Sequence, residues 1–369
     1  MINSENSAAI LLSRQPLRPC RLTPWVQAAA RAVRWLKGTK AVLYTSVGIQ
    51  TYELLVFLAL KEKIRQKIVL PVAAGASFNR LRKQVQEQFQ TDDQLVTFIP
   101  AIKCRDGLHD KLPVVRDRYI ISHAGTLFPI AVREGGNMDK LITQREAAGV
   151  CVNRQFQTVY QKRQTPIAYH LDEKTLSSEI TKFDEPYLIH WTRAANGPWL
   201  AEKRIDYYRA IAQADVYPHS AFDTLKNILK QKLICGSSKH KTGKIASVSF
   251  SSLAPRDMLP LMRWRSRYKQ MYFEPYGIGV KKEDGLDCGI RPVHYYQGKT
   301  APADIEPWLL QSVGSKGDWF KEQEYRFQGD FDMSGLPLDK MICFCHTVSE
   351  AAYIQTKFQI KAIGFYDTV

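Results

Sequence analysis

Short apolar runs alternate with helical stretches through the first half of this chain, and no other feature of the sequence restricts its fold so strongly. Residues 41–45, 67–72, 95–99 and 127–132 are apolar runs of strand length. Residues 22–37, about 50–60 and 77–89 carry apolar side chains at helical spacing, with Ser77 placed to cap the last of these helices. Strands and helices alternating at this interval predict an α/β fold, an open and mostly parallel sheet with helices on both faces. In such sheets ligands bind beyond the carboxyl ends of the strands. Gly48 with Thr51, and Arg133 followed by Gly135 and Gly136, stand at two such ends. Glycine after a strand lets backbone amides approach a phosphate, and the helix that follows adds a favourable field. Ordinary turns use glycine for the same freedom, so each position has a purely structural reading as well.

At 369 residues the chain has room for two domains. The divisions fall as a basic helical extension at 1–40, a nucleotide-binding domain at 41–150, a linker or extra strands at 151–186, and a mixed α+β domain at 187–369. With 52 basic and 36 acidic side chains the formal charge is +16, which favours polyanions such as nucleic acid and nucleotides without choosing among them. The run from residue 224 to 256 holds Lys226, Lys230, Lys232, Lys239, Lys241, Lys244 and Arg256, and reads first as a solvated helix face with a loop. Seven scattered cysteines argue against a disulfide framework and for a reducing, cytoplasmic setting. Cys343-Phe344-Cys345-His346 has no second ligand pair and reads as buried strand, so no metal is expected. No run approaches the apolar length of a membrane span, and no secretory leader is evident.

Chemistry concentrates near the end, in residues 318–327. Read as a strand, this stretch places Gln323, Tyr325 and Phe327 on one face and Glu322, Glu324 and Arg326 on the other. Two carboxylates and a guanidinium on one face can hold a cationic transition state; a solvated polar face is the plain alternative. Upstream, residues 187–193 form an apolar strand with His190 and Thr192 at its tip, and residues 221–233 an amphipathic helix. Residues 245–250 form a strand leading into Ser251 and alternating Val248 and Phe250 with Ser249 and Ser251; residues 259–272 read as an Arg- and aromatic-rich helix, and 276–280 as a strand.

Two resemblances follow from these motifs. Arg116-Asp117-Arg118-Tyr119-Ile120, then Ala124, an apolar strand and Gly135-Gly136, resembles the Rossmann-like nucleotide-binding superfamily of bacterial DNA-processing mediators and phosphoribohydrolases. That likeness implies nucleotide binding near Gly48, Thr51, Arg116, Arg133, Gly135 and Gly136. The catalytic Pro-Gly-Gly-x-Gly-Thr loop of the hydrolases is absent, so their activity is not implied. The second half, with His190-Trp191-Thr192, Ser249-Phe250-Ser251, Leu261-Met262-Arg263-Trp264, Tyr268, Gly277-Ile278-Gly279 and the stretch from Trp319 to Arg326, resembles a widespread bacterial domain family of uncharacterised function. It departs from that family in the extra residues 194–218 and in Lys239-His240-Lys241 after the serine pair.

The order of His, Ser and Glu-x-Glu is similar to that of ADP-ribosyltransferases. This implies NAD as substrate, with Glu324 serving the ribose, Glu322 the acceptor and His190 the sugar. Thr192, Ser249, Ser251, Tyr268 and Arg326 would form the pocket, and Trp264 or Tyr276 are further stacking candidates. Arg263, Arg265 and Arg267 either pair with Glu274 or Glu283 or contact the diphosphate. Two functions stay open: a nucleotide-sensing, NAD-cleaving or ADP-ribosyl-transferring protein suited to bacterial defence, and a non-catalytic nucleotide- or nucleic-acid-binding protein.

Overall fold

The computed structural model describes residues 6–73, 75–102, 111–162, 166–238, 245–297, 302–313 and 319–367. Cys104, Lys239, His240, Lys241, Lys244 and Asp318 lie outside them. The chain forms two compact units, Met1–Thr165 with Asn196–Pro218, and Pro166–Ala195 with His219–Val369.

Unit 1 is a Rossmann-like α/β body. Its six strands are β1 (Ser7–Leu12), β2 (Val42–Ser46), β3 (Gln66–Val72), β4 (Val96–Ile102), β5 (Thr126–Ala131) and β6 (Cys151–Val152). All pair in parallel, in the order β4-β3-β2-β1-β5-β6. Helices α1 (Pro24–Thr39), α2 (Gln50–Lys61), α3 (Phe78–Phe89), α4 (Leu112–His123) and α5 (Asn137–Ala147) connect them. Ser77 does cap α3, accepting from the Arg80 amide at 3.3 Å.

The expected helical extension at 1–40 is corrected here, because β1 lies inside the sheet with every residue buried. A parallel strand covered on both faces reads as a continuous apolar run, as Ala8 to Leu12 do. Strands β2 to β4 extend the sheet to one side of β1, and β5 and β6 to the other. The switch point therefore lies between β1 and β5.

The expected linker at 151–186 is divided as well. Cys151–Val152 closes the first sheet, while residues from 166 onward belong to unit 2. Residues 196–218, read as an extra segment of the second half, return to unit 1, where the helix Arg204–Gln213 buries Tyr207, Tyr208 and Ile211 in the core.

Unit 2 is a mixed α+β body around seven strands: β7 (Tyr187–Trp191), β8 (Ser247–Ser251), β9 (Gly277–Lys281), β10 (Arg291–Pro292), β11 (Glu324–Gln328), β12 (Met341–Thr347) and β13 (Lys361–Tyr366). Their order is β10-β11-β8-β7-β9-β12-β13, antiparallel except for the last pair. The helix Val348–Phe358 makes that parallel crossover and starts in a capping box of Thr347 and Glu350. Apolar clusters cover both faces: Leu188, Val248, Phe250 and Ile278 belong to one, and Ile189, Trp191, Met258 and Phe344 to the other. Gly277 must lack a side chain, since a Cβ there would come 2.9 Å from the Trp191 ring and 3.0 Å from Ile189.

The expected helix at 259–272 is replaced by a 3-10 turn, Pro255–Leu261, and a hairpin of Trp264–Arg265 with Gln270–Met271. Lys269, at φ 52°, turns the chain back and ends any helix there. Cys343 and Cys345 lie buried in β12. Among the described residues no His, Cys, Asp or Glu cluster is placed to hold a metal ion, and no helix is long and apolar enough to cross a membrane.

Candidate functional site

Three strands far apart in sequence, β7, β8 and β11, lie side by side in unit 2, and a cleft of about 400 Å³ follows them. His190, Ser249, Ser251, Tyr268, Glu322, Glu324 and Arg326 all line it, together with Arg193, Arg265, Tyr272 and Gln311. The volume is in the range of small-molecule sites. β7 and β8 are bridged at one pair, Ile189 with Ser251, and the cleft takes residues from both sheet faces, Val248 and Phe250 from one, Ser249 and Ser251 from the other.

The carboxylates differ in environment. Glu324 and Arg326 share a face of β11, as the alternation predicts, and Arg326 grips Glu324 with two bonds of 2.9 Å. Glu322 sits one turn earlier, in the 3-10 segment Trp319–Glu322, and not in the strand. Gln323 between them takes φ 45°, a left-handed conformation costly for a side-chain-bearing residue, and this swings Glu322 toward the same cleft. The Glu322 carboxyl is buried and accepts a close bond from the Tyr272 hydroxyl. Burial, and secondarily the nearby Glu324 carboxylate, push its pKa up to about 8, against the pull of Arg265, Arg326 and Arg193. Two neighbouring carboxyl groups thus sit in different environments, one paired with a guanidinium and the other buried with its proton favoured near neutral pH.

Several expected roles change. Arg326 cannot hold a ligand, because all five of its N–H donors are used. Nε and Nη2 bind Glu324, Nη1 binds the Trp308 and Leu310 carbonyls at 3.0 and 3.1 Å, and Nη2 also binds Gln311. It positions Glu324 and ties β11 to the 307–312 segment. The Ser251 hydroxyl donates to the Glu322 carbonyl at 2.6 Å and accepts from the Leu253 amide, which makes it a wall element. Thr192 is buried away from the cleft, bonded to the Ala221 and Tyr276 carbonyls at 3.2 Å. Tyr276 bonds Glu350, and neither it nor Trp264 lines the cleft.

His190 is more instructive. Ile189, Ser251 and Glu324 are in register and share a face, so His190 belongs to the opposite one, with Ile278 opposite it and the Phe250 ring 6.0 Å away. Its Nδ1 meets the Ser249 carbonyl at 2.9 Å, beside the line where β7 and β8 part. Tyr272 and Gln311 were missed in the sequence. Tyr272 was masked by the helical reading of its segment, and nothing near Gln311 marks it.

In unit 1 the expected phosphate loops have their amides engaged. Gly48 N donates to Glu53 Oε1 at 2.9 Å and Gly135 N to Asp139 Oδ2 at 2.9 Å, each a carboxylate of the following helix. Gly48 (φ 90°) and Gly135 (φ 67°) are needed for their turns, and Gly136 for a close approach, a Cβ there meeting the Arg133 carbonyl at 3.0 Å. Arg116 is buried and committed to Asp117, the Val47 carbonyl and the Tyr52 ring. Arg133 is exposed, and the Thr51 hydroxyl is buried with no hydrogen-bond partner among the described residues.

The loop leaving β1 carries residues the sequence did not single out. Gln15 is 5% exposed, with Nε2 on the Ser13 and Ala131 carbonyls and, among the described residues, no partner at Oε1. Arg18, at φ 67°, bonds Asn196 through Nε, while Nη1 and Nη2 are buried with no hydrogen-bond partner among the described residues.

No family model and no curated protein matches the chain. Among solved structures it is similar to DNA processing protein A from Streptococcus pneumoniae, at 12% identity and a TM-score of 0.29. The match covers 40% of this chain and 48% of that one, about half its length. The Rossmann-like description of unit 1 rests on its own strand order and register.

One consequence concerns pH. Folded Glu322 keeps its proton up to about pH 8, whereas the unfolded chain releases it near 4.5, so this group's stabilising contribution is present below 4.5 and is lost as pH rises to 8. Glu322→Gln keeps an acceptor for Tyr272 and removes the ionisation. The variant is expected to match wild type near pH 4.5 and to exceed it by on the order of a few kcal/mol at pH 9. Thermal melts at the two pH values check this, and a constant difference would refute it.

Proposed function

We propose that unit 2 cleaves the glycosidic bond of an NAD-like dinucleotide and passes the ADP-ribosyl group to water or to an acceptor, in a protein suited to bacterial defence. The observation that carries this reading is the pairing, in one cleft, of Glu324 gripped by Arg326 with a buried Glu322 beside Ser249 and the Tyr268 and Tyr272 rings. Breakage of the ribose C–N bond gives the bonding pair to nicotinamide, which departs neutral and needs no acid. The sugar left behind is oxocarbenium-like, and a fixed carboxylate such as Glu324 stabilises it. Water or an acceptor hydroxyl then bonds to the sugar carbon and surrenders its proton. In transfer the ionised fraction of Glu322 takes the proton of the acceptor hydroxyl, so transfer should rise as pH approaches 8, whereas attacking water can pass its proton to solvent.

Purified protein incubated with NAD, with and without nucleotides or cell lysate, should release nicotinamide. No release under any of these conditions would leave the non-catalytic binding reading in its place.

For unit 1 we infer an anionic, phosphate-bearing ligand at the carboxyl ends of β1 and β5. The Nη atoms of Arg18, buried and without a hydrogen-bond partner among the described residues, support it, with Arg14 and Arg133 exposed on the loops that leave these strands. The engaged amides of Gly48 and Gly135 favour this place over the glycine loops themselves. Calorimetric titration with nucleotides and inorganic phosphate should give binding that Arg18→Met weakens at least about 10-fold, as expected for losing a charged hydrogen bond. Absence of heat with the wild type would remove the inference.

A further inference from the structure

Between Asp257 and Glu274 the chain carries four cations, Arg263, Arg265, Arg267 and Lys269, and no acid. They fall on and beside the hairpin of Trp264–Arg265 with Gln270–Met271. Arg263, Arg267, Tyr268 and Lys269 are exposed, and among the described residues none of the four cations forms an ion pair. The expected pairing with Glu274 does not occur: that carboxylate is buried and taken by the Tyr169 hydroxyl at 2.6 Å and the Ala194 amide at 2.9 Å.

The guanidiniums stack on rings instead. Arg265 lies 5.4 Å from the Tyr268 centroid and 4.4 Å from that of Tyr272, and Arg267 lies 5.8 Å from that of Tyr268. Tyr268 thus has the guanidiniums of both Arg265 and Arg267 within cation–π range, and it remains 43% exposed. Arg265 and Tyr268 line the cleft, whereas Arg263, Arg267 and Lys269 lie beyond its lining.

We propose that this hairpin docks single-stranded nucleic acid and leads one nucleotide of the strand toward the cleft of unit 2. Unpaired cations spaced along an exposed edge suit a phosphate backbone, and interleaved aromatic and guanidinium planes suit unstacked bases. A free dinucleotide would be served by the cleft-lining pair alone and leaves the outer three cations without a role. A duplex keeps its bases inside and would use the cations but not the planes. An acidic peptide likewise offers charge with nothing to stack.

The test is fluorescence anisotropy with labelled DNA and RNA single strands of about 12 nucleotides, within the span of known single-strand sites. A duplex of the same length and polyglutamate serve as competitors. Wild type should bind the single strands, with duplex and polyglutamate competing at least about 10-fold more weakly, as the loss of base stacking implies. The triple variant Arg263→Ala, Arg267→Ala, Lys269→Ala should bind at least about 10-fold more weakly at low salt. Its slope of log affinity against log salt should be shallower by about 2, the counterions of three contacts. Nicotinamide release from NAD should be unchanged in this variant. Binding and cleavage are read separately, so failure of the strand proposal is distinguishable from failure of the NAD reading. Absence of wild-type binding, equal binding by the triple variant, or equal competition by duplex or polyglutamate would each overturn the proposal.

Discussion

Glu324→Gln is expected to reduce nicotinamide release by about 10² to 10³, the usual loss when a preorganised electrostatic partner of a transition state is removed. Glutamine keeps the reach of the side chain and can still accept from Arg326, so the cleft keeps its shape while the charge facing the sugar disappears. The change also leaves Arg326, which is 2% exposed, without a compensating carboxylate. Some stability must therefore be lost, and activity should be compared well below both melting temperatures. Glu322→Gln makes the contrast. It should spare hydrolysis by water more than transfer to an acceptor, and it should gain stability at high pH. A Glu324→Gln protein that releases nicotinamide at the wild-type rate would end the glycosidic reading.

Arg326→Met is expected to destabilise unit 2 by about 3–5 kcal/mol, the cost of removing one partner from a buried ion pair. Five bonds end on this guanidinium, and methionine supplies none. The Trp308 and Leu310 carbonyls lose their donor, and Glu324 is left as an uncompensated charge beside Glu322. Combining Arg326→Met with Glu324→Gln should recover part of the loss, because the second change removes the stranded charge. Urea midpoints for the two single variants and the double variant measure the coupling. Wild-type stability in Arg326→Met, or simple additivity in the double variant, would show that the pair is not joined in this way.

The two halves of the chain were legible to different depths. The alternation in residues 41–132 specified the parallel sheet, because a βαβ unit buries its strands on both faces and leaves an apolar run for each. The same rule applied to Ala8–Leu12 would have found β1. The run is short and a basic, helix-forming stretch follows it, so local pattern assigns it to an extension. The hairpin at 264–271 was read as helix because its apolar and aromatic residues are compatible with both periods, and the deciding event, a turn at Lys269 with φ 52°, leaves no mark in residue type. The stretch Glu324-Tyr325-Arg326 was legible as a two-faced strand, since alternation is local.

The sequence by itself determined which residues could carry chemistry and the class of each unit, because periodicity and residue type are set within a few neighbours along the chain. Tertiary structure decided what those residues do. It brought β7, β8 and β11 side by side across more than a hundred residues of chain, which pattern cannot encode. By the register of Ile189 with Ser251 it placed His190 on the face opposite Glu324, since a shift of one residue exchanges every side chain between faces. It used three of the five donors of Arg326 on the 307–312 segment and the other two on Glu324, turning an expected ligand contact into a support for Glu324. By burying Glu322 next to Glu324 it also set two identical side chains apart, one a buried carboxyl whose pKa is raised and one paired with Arg326, a difference made by surrounding charge and water, neither of which belongs to the residue itself.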